Sequence, residues 1–259
     1  MPVQVYVVVD MEGISGIVNI HQVSLGRPEF AEGRQLLAGD VNAAVAGAFE
    51  AGADRVVVCD FHDSRRNFPI ADMDPRAEYE VPHASMMPAL ERGFDALVVV
   101  GMHARSGTRR AFLEHTVDPA WHRYWTDGVE RGEFALLAFV AGSFDVPVVF
   151  VSGDRAAMGE AHALVPTIEG VAVKEGLARD WCRTLAPARA HELIRAGVTR
   201  ALTRQDRPAP VELQFPVPVR LECNRCSDAD AFDGHRAITR VDGFTLEWIA
   251  HTVAEMTPS

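Results

Sequence analysis

Val3-Gln4-Val5-Tyr6-Val7-Val8-Val9-Asp10-Met11-Glu12-Gly13 is an apolar run that ends in two carboxylates and then opens into glycine. A stretch this uniformly apolar suits a strand buried on both faces, as in a parallel sheet covered by helices. Residues i and i+2 of an extended segment point to one side. Asp10 and Glu12 therefore present two carboxylates to one point just past the strand end. Adjacent anions repel unless a cation or a shared proton lies between them. Taken alone, the pair reads more simply as an Asp closing a strand and a Glu opening a solvated turn.

The segments that follow change that balance. Phe30 to Ala51 carries Leu37, Val41, Val45 and Phe49 at four-residue spacing and stops at Gly52, which predicts an amphipathic helix. Arg55 to Cys59 is the next apolar strand, so strand, helix and strand form a βαβ unit and the sheet is predicted to be parallel. A polar, proline-containing segment runs to about Pro82, and Ala96 to Val100 is a third buried strand. The loops after these strands carry Asp10 and Glu12, His62, and His103. All carboxyl ends of an open parallel sheet lie on one edge, where ligands bind, so the three loops are expected to converge.

Further along, Arg123 to Glu130 reads as a hairpin turning at Asp127-Gly128, and Gly132-Glu133 opens a helix to about Phe144. Val146 to Ser152 is a fourth core strand, Ala156 to Leu164 a helix, and Pro187 opens another helix to about Arg204. Prolines 208, 210, 216 and 218 mark a boundary. The expectation is an α/β catalytic domain over residues 1–207, with a mostly parallel sheet covered by helices. Residues 208–259 would form a smaller mixed α+β C-terminal portion: a strand at Val219 to Glu222 and a closing segment from Phe244 to Met256, packed on the first domain or on a neighbouring subunit.

Composition bounds the function. A chain of 259 residues buries a sizeable core without disulfides or structural metal. A net charge of −11, with arginines scattered among acids, argues against a nucleic-acid surface. No stretch reaches the length of a membrane span, and Met1-Pro2-Val3-Gln4-Val5 lacks the basic region and cleavage site of a signal peptide, so a cytoplasmic location is expected. Cys59, Cys182, Cys223 and Cys226 do not make a disulfide framework, and the single Cys223-Asn224-Arg225-Cys226 reads as two incidental thiols rather than a metal or redox pair.

Asp10, Glu12, His62, His103 and Glu133 are hard oxygen and borderline nitrogen donors, all expected at the carboxyl edge or at a helix start facing it. Three carboxylates and two imidazoles are a kit for one or two divalent ions, zinc first, with a bridging carboxylate holding a pair. Such a pair polarises carbonyls and activates water. Residue types and spacing alone leave open a dinuclear hydrolase, a structural ion site, and ordinary capped or surface histidines.

In chain order, Val9-Asp10-Met11-Glu12-Gly13-Ile14-Ser15-Gly16, Asp60-Phe61-His62-Asp63-Ser64, Gly101-Met102-His103-Ala104-Arg105, Glu114-His115-Thr116, Gly132-Glu133 with Ala141-Gly142, Asp145-Val146-Pro147-Val148 and Ser152-Gly153-Asp154-Arg155-Ala156-Ala157 resemble the M55 metallopeptidases, the D-aminopeptidases of the DppA type. The resemblance covers residues from about 3 to 204, and the last 50 residues match only loosely. It implies a dinuclear zinc aminopeptidase that removes N-terminal D-amino acids such as D-Ala from short peptides. By motif position, Asp10 resembles the bridging carboxylate and Glu12, His62, His103 and Glu133 the other ligands of two zinc ions per subunit. His115 matches the catalytic histidine, as nucleophile or as acid/base, and a ring-like homodecamer is implied.

Beyond these motifs, Arg105 has the chemistry to hold a peptide carboxylate bidentately. His21, His83 and His122 carry no motif and read as surface residues. Phe61, where the family form has a small residue, and Arg109-Arg110-Ala111-Phe112 depart from the family and bear on side-chain preference. The competing readings are a metal-dependent amidohydrolase or esterase acting on something other than a D-peptide, and a non-catalytic metal-binding protein.

Overall fold

The computed structural model describes residues 3–81 and 86–258, so His83 and the end of the polar segment at Pro82 lie outside the described residues. In chain order the elements are β1 (Gln4–Val9), α1 (Phe30–Glu50), β2 (Arg55–Asp60), β3 (Glu78–Glu80), β4 (Ala96–Met102), β5 (Trp121–Thr126), β6 (Val129–Glu130), α2 (Glu133–Gly142), β7 (Val148–Asp154), α3 (Arg155–Leu164), β8 (Glu169–Ala178), β9 (Trp181–Thr184), α4 (Pro187–Thr203), β10 (Val217–Cys223), α5 (Cys226–Asp230), β11 (Thr239–Arg240) and β12 (Thr245–Ala250).

The main sheet has the order β3-β2-β1-β4-β7-β8-β9. All its pairings are parallel except the last, where β9 returns antiparallel along β8. Alternation splits the central strands between two cores. Val5, Val7 and Val9 of β1 with Val98 and Val100 of β4 face α1 and α4, which pack on each other, while Tyr6, Val8, Leu97 and Val99 face α2 and α3. Each buried branched side chain contributes about 1.5–3 kcal/mol of transfer free energy, which is why the strands read as unbroken apolar runs.

Helix α2, Glu-Phe-Ala-Leu-Leu-Ala-Phe-Val-Ala-Gly, is apolar all round, and a helix of that kind must be covered on every side. Phe134, Leu137, Ala138 and Ala141 pack on the main sheet, while Ala135, Leu136 and Phe139 pack on a second sheet. That second sheet, β11-β12-β10-β5-β6, is antiparallel. Its central strand β10 alternates as a one-sided strand should: Val217, Val219, Leu221 and Cys223 are buried while Pro218 and Arg220 are exposed. Strand β10 pairs with β5, so the hairpin at 121–130 and the chain after 208 share one sheet. The hairpin turns at Asp127 and Gly128, both with positive φ, as anticipated.

The closing segment is β12 followed by a 3-10 turn at Val253–Met256. Cys223 is buried at the end of β10, Cys226 is exposed at the start of α5, and both thiols are free. Among the described residues no helix is long and apolar enough to cross a membrane.

Candidate metal centre

Parallel pairing puts the carboxyl ends of β1, β2 and β4 on one edge, and Asp10, His62 and His103 lie just beyond them. The β1 and β4 chains stay in register past the sheet, with Asp10 N–H donating to Val100 O at 2.9 Å and Gly13 N–H to Gly101 O at 2.8 Å. This close passage requires glycine. Gly101 has φ +80°, and a Cβ there would lie 2.1 Å from the Asp10 carbonyl oxygen, while one on Gly13 would lie 2.3 Å from that of Met102. Below the turn, the buried Lys174 of β8 donates from Nζ to Glu12 O at 2.6 Å and Ile17 O at 2.8 Å, above the Phe112 ring. Burial pulls the Lys174 ammonium down to about 8.

The His62 loop is closed from beneath by Asp60, whose carboxylate accepts from Asn67 N–H at 2.7 Å and Asn67 Nδ2 at 2.9 Å; Nδ2 also donates to His62 O at 2.7 Å. Within it, Asp63 and Arg65 take positive φ, 38° and 54°. His115 sits in a segment where Arg110, Leu113 and Val117 also have positive φ. That segment is pinned by Asp154, which accepts Phe112 N–H at 2.8 Å and Gly176 N–H at 3.0 Å. A β-branched residue at φ 60° is costly, and Val117 is held there as its N–H donates to Glu133 Oε1 at 2.7 Å. Glu133 is the first residue of α2, where the helix N-terminus favours a carboxylate.

Asp10, Glu12, His62, His103 and Glu133 are brought together, all buried, with His115 beside them at 20% exposure. His62 Nδ1 lies 3.1 Å from Asp10 Oδ1 and 3.1 Å from Glu12 Oε2. His103 Nε2 lies 3.2 Å from Asp10 Oδ2 and 3.3 Å from Glu133 Oε1. His115 Nε2 is 3.7 Å from Glu133 Oε1, and its ring stacks on that of His103 at 4.0 Å. The other nitrogen of each ring faces a carbonyl: His62 Nε2 faces Val23 O, His103 Nδ1 faces Ala104 O and His115 Nδ1 faces Leu113 O, each at 2.9 Å. A carbonyl only accepts, so those nitrogens carry the protons, and in the neutral rings lone pairs point at carboxylate oxygens.

Lone pair against lone pair at this spacing needs positive charge between them. Burial pushes the Asp10 carboxyl up, but the imidazoles of His103 and His62 outweigh it and hold Asp10 well below the ordinary range; Glu133 is lowered in the same sense, chiefly by His103. Burial would lower His62 and His103, yet the carboxylates around them raise both well above the ordinary range. A metal ion satisfies the same demand without protons. Asp10 Oδ2, Glu12 Oε2 and His103 Nε2 are buried with no hydrogen-bond partner of ordinary geometry. The donors fall into two groups, Asp10 with Glu12 and His62, and His103 with His115 and Glu133, each with its ligand atoms within 4.8 Å of one another. The residues fit one or two divalent ions.

These groups border a cavity of about 580 Å³, within the range of small-ligand sites. Its walls include Val23, Phe61, Met86 and Val117, with Asp63 and Arg65 from the strained loop. Phe61 thus lines the cavity, whereas Arg109 to Phe112 do not. Arg105 does not line it either: its guanidinium lies 3.1 Å from Glu160 and 3.6 Å from Glu130, on the far side of the His103 loop. Lys174, Asn67 and Arg65 had no sequence signal, while Asp154 lies within one of the quoted motifs without a role assigned to it.

The family profile described as D-aminopeptidase, peptidase M55, matches residues 3–258. A D-aminopeptidase of Bacillus subtilis (strain 168) is 33% identical over 211 residues, covering 80% of this chain and 77% of that protein. A solved structure, described as the Zn-dependent D-aminopeptidase DppA from Bacillus subtilis, a self-compartmentalizing protease, superimposes with a TM-score of 0.93 at 28% identity, over 98% of this chain and 93% of that one.

Proposed function

This chain belongs to the M55 D-aminopeptidase family, a family of hydrolases, and from that membership and the site geometry we propose that it is a zinc-dependent aminopeptidase releasing N-terminal D-amino acids from short peptides at a two-zinc site. The observation that carries the two-ion reading is the split of Asp10: one oxygen faces His62 and Glu12, the other faces His103 and Glu133. Asp10 would be shared between the two ions, with Glu12 and His62 holding one and His103 and Glu133 the other.

Zinc at these residues supplies Lewis acidity for a carbonyl and for the attacking water. The chain provides the remaining functions. Peptide hydrolysis needs a proton taken from the attacking water and passed to the departing amine, and His115 is placed for both: Nδ1–H is fixed on Leu113 O, and the Nε2 lone pair, 3.7 Å from Glu133 Oε1, belongs to a residue that lines the cavity. Glu133, held by the Val117 N–H, keeps its carboxylate oriented at that same point. Phe61 on the cavity wall, where the family form has a small residue, sets a first side-chain preference different from D-Ala.

We place the enzyme in the cytoplasm, consistent with four free thiols, acting on peptides rather than nucleic acid. Its assembly is a closed homo-oligomer, a decamer, in keeping with the self-compartmentalizing description of its structural relative. The test is zinc analysis of the wild type and Asp10→Ala together with a panel of D- and L-aminoacyl p-nitroanilides and short D-peptides. Two zinc ions per chain, both lost in Asp10→Ala, and turnover of D-substrates are expected. Retention of both ions in the variant would end the bridging assignment, and turnover only of L- or non-peptide substrates would end the peptidase assignment.

A further inference from the structure

Behind the His103 loop, a single peptide group serves two of the imidazoles at the centre. The carbonyl of Ala104 faces His103 Nδ1 at 2.9 Å and accepts the backbone N–H of His115 at 3.3 Å. The other end of that peptide group is the Arg105 N–H, which donates to the Glu160 carboxylate at 3.1 and 3.3 Å. Glu160 comes from α3, and its side chain is 16% exposed. It also accepts from Arg105 Nη1 at 3.1 Å and Thr108 Oγ1 at 3.2 Å. Its Oε2 occupies the space beside Gly132, the residue before Glu133: a Cβ on Gly132 would lie 2.9 Å from Oε2 and 2.8 Å from Arg105 Cβ. Glu160 does not line the cavity of about 580 Å³ at the metal centre, so it stands outside the space a substrate fills.

Resting on the zinc reading above, we infer that Glu160 is a positioning residue for the His103 half of the centre, acting through the Ala104–Arg105 peptide group on His103 and His115 together. The C=O and N–H of a trans peptide point in opposite directions in one plane, so anchoring the N–H also aims the carbonyl. A carboxylate acceptor makes the N–H bond charge-assisted and polarises the peptide, which strengthens the bonds its carbonyl accepts. A firmer bond from His103 Nδ1–H holds the ring with Nε2 toward Asp10 and Glu133 and raises its basicity as a ligand. The same carbonyl fixes the backbone of His115. Arg105 and Thr108 serve in turn to hold the Glu160 carboxylate in place.

The test measures zinc binding by competition with a chelator, and kcat and KM on D-Ala-Gly-Gly, for wild type, Glu160→Gln, Glu160→Leu and Arg105→Met, each checked for melting temperature without metal. Glu160→Gln keeps the size and an acceptor oxygen but loses the charge, and it carries the test should Glu160→Leu fail to fold. One of the two zinc ions should bind about 10- to 100-fold more weakly in Glu160→Leu and about 3- to 10-fold more weakly in Glu160→Gln, with the other ion held as in wild type. The rate should fall in kcat, with KM within about twofold. Arg105→Met keeps the backbone N–H that Glu160 accepts, and its zinc affinity should stay within about twofold of wild type. Unchanged zinc binding in both Glu160 variants, equal weakening of both ions, a loss confined to KM, or an Arg105→Met protein as impaired as Glu160→Leu would overturn the assignment of Glu160. A wild-type protein that binds no zinc would overturn the zinc reading itself, and this assignment with it.

Discussion

The ammonium of Lys174 donates 2.6 Å to the main-chain carbonyl of Glu12, from a strand that contributes no metal donor. Its second bond, to Ile17 O, spans the turn that aims Asp10 and Glu12. Lys174→Met keeps much of the volume but removes the Nζ donor from the Glu12 carbonyl and leaves Ile17 O with only the Cys182 thiol at 4.0 Å. Supports of this kind typically carry 10–100-fold in metal affinity. Zinc affinity of Lys174→Met, measured by competition with a chelator, should fall by about that factor; an unchanged affinity would remove Lys174 from the site.

The same lysine has a pH signature. Unfolded, it holds its proton to about 10.5; folded, it releases it near 8. Between those values the unfolded chain binds more protons, so the Lys174 contribution to stability rises with pH, by on the order of 3 kcal/mol over the window. The difference in unfolding free energy between wild type and Lys174→Met should therefore shift toward the wild type between pH 8 and 10.5. A flat difference in urea titrations would contradict it.

Gly101→Ala forces a methyl to within 2.1 Å of the Asp10 carbonyl oxygen, at a φ of +80°. Neither backbone can yield without moving Asp10, Glu12 and His103, the proposed metal donors. A cost above about 3 kcal/mol, or roughly 10 °C in melting temperature, is expected, together with weakened zinc binding. Gly107→Ala is the control: φ there is +77° but nothing lies within 4 Å, so only the left-handed penalty of about 1–2 kcal/mol applies. Equal losses in the two variants would show that the crossing of β1 and β4 is not under steric control.

Much of this site was legible because parallel strands announce their ends. Val5 to Val9, Val56 to Cys59 and Ala96 to Val100 are buried on both faces, so the first polar residues after each mark one edge. What escaped has a local physical reason. Strand β8 mixes Glu169, Lys174 and Glu175 with Gly170 and Gly176, and the buried Lys174 breaks the apolar pattern that would have revealed it. Arg105 and Arg65 both follow a strand-end histidine. Which arginine turns into the cavity is decided by Glu160, 55 residues beyond Arg105, and no local spacing encodes that. The pairing of β5 with β10, almost a hundred residues apart, is likewise non-local.

His115→Ala should cut turnover by about 100- to 10,000-fold, the range for a positioned acid/base, while leaving zinc content unchanged. The ring stacks on His103 and stands 3.7 Å from Glu133, so it is close enough to be a donor as well. Zinc analysis separates the roles. Loss of one equivalent with the activity would make His115 a ligand, and activity within about tenfold of wild type would end its catalytic assignment.

Zinc binding should strengthen with pH, and the sign follows from the buried cluster. In the metal-free protein His62 and His103 are raised, so the stability they add is fully present below their unfolded value near 6.5 and is lost as pH rises through the raised one. Asp10 and Glu133 are lowered, so their contribution is present above about 4 and is lost as pH falls through the depressed values. Between these limits the carboxylates are already ionised, and the protons that zinc must displace are those on the two imidazoles. Affinity should rise by up to about tenfold per pH unit for each proton released. The gain in melting temperature on adding zinc should accordingly be larger at pH 8 than at pH 6, even as the metal-free protein loses its imidazolium pairing. Calorimetric titrations at the two pH values, in buffers of different ionisation enthalpy, count the protons directly, and release of none on binding would show that His62 and His103 carry no displaceable proton in the metal-free protein.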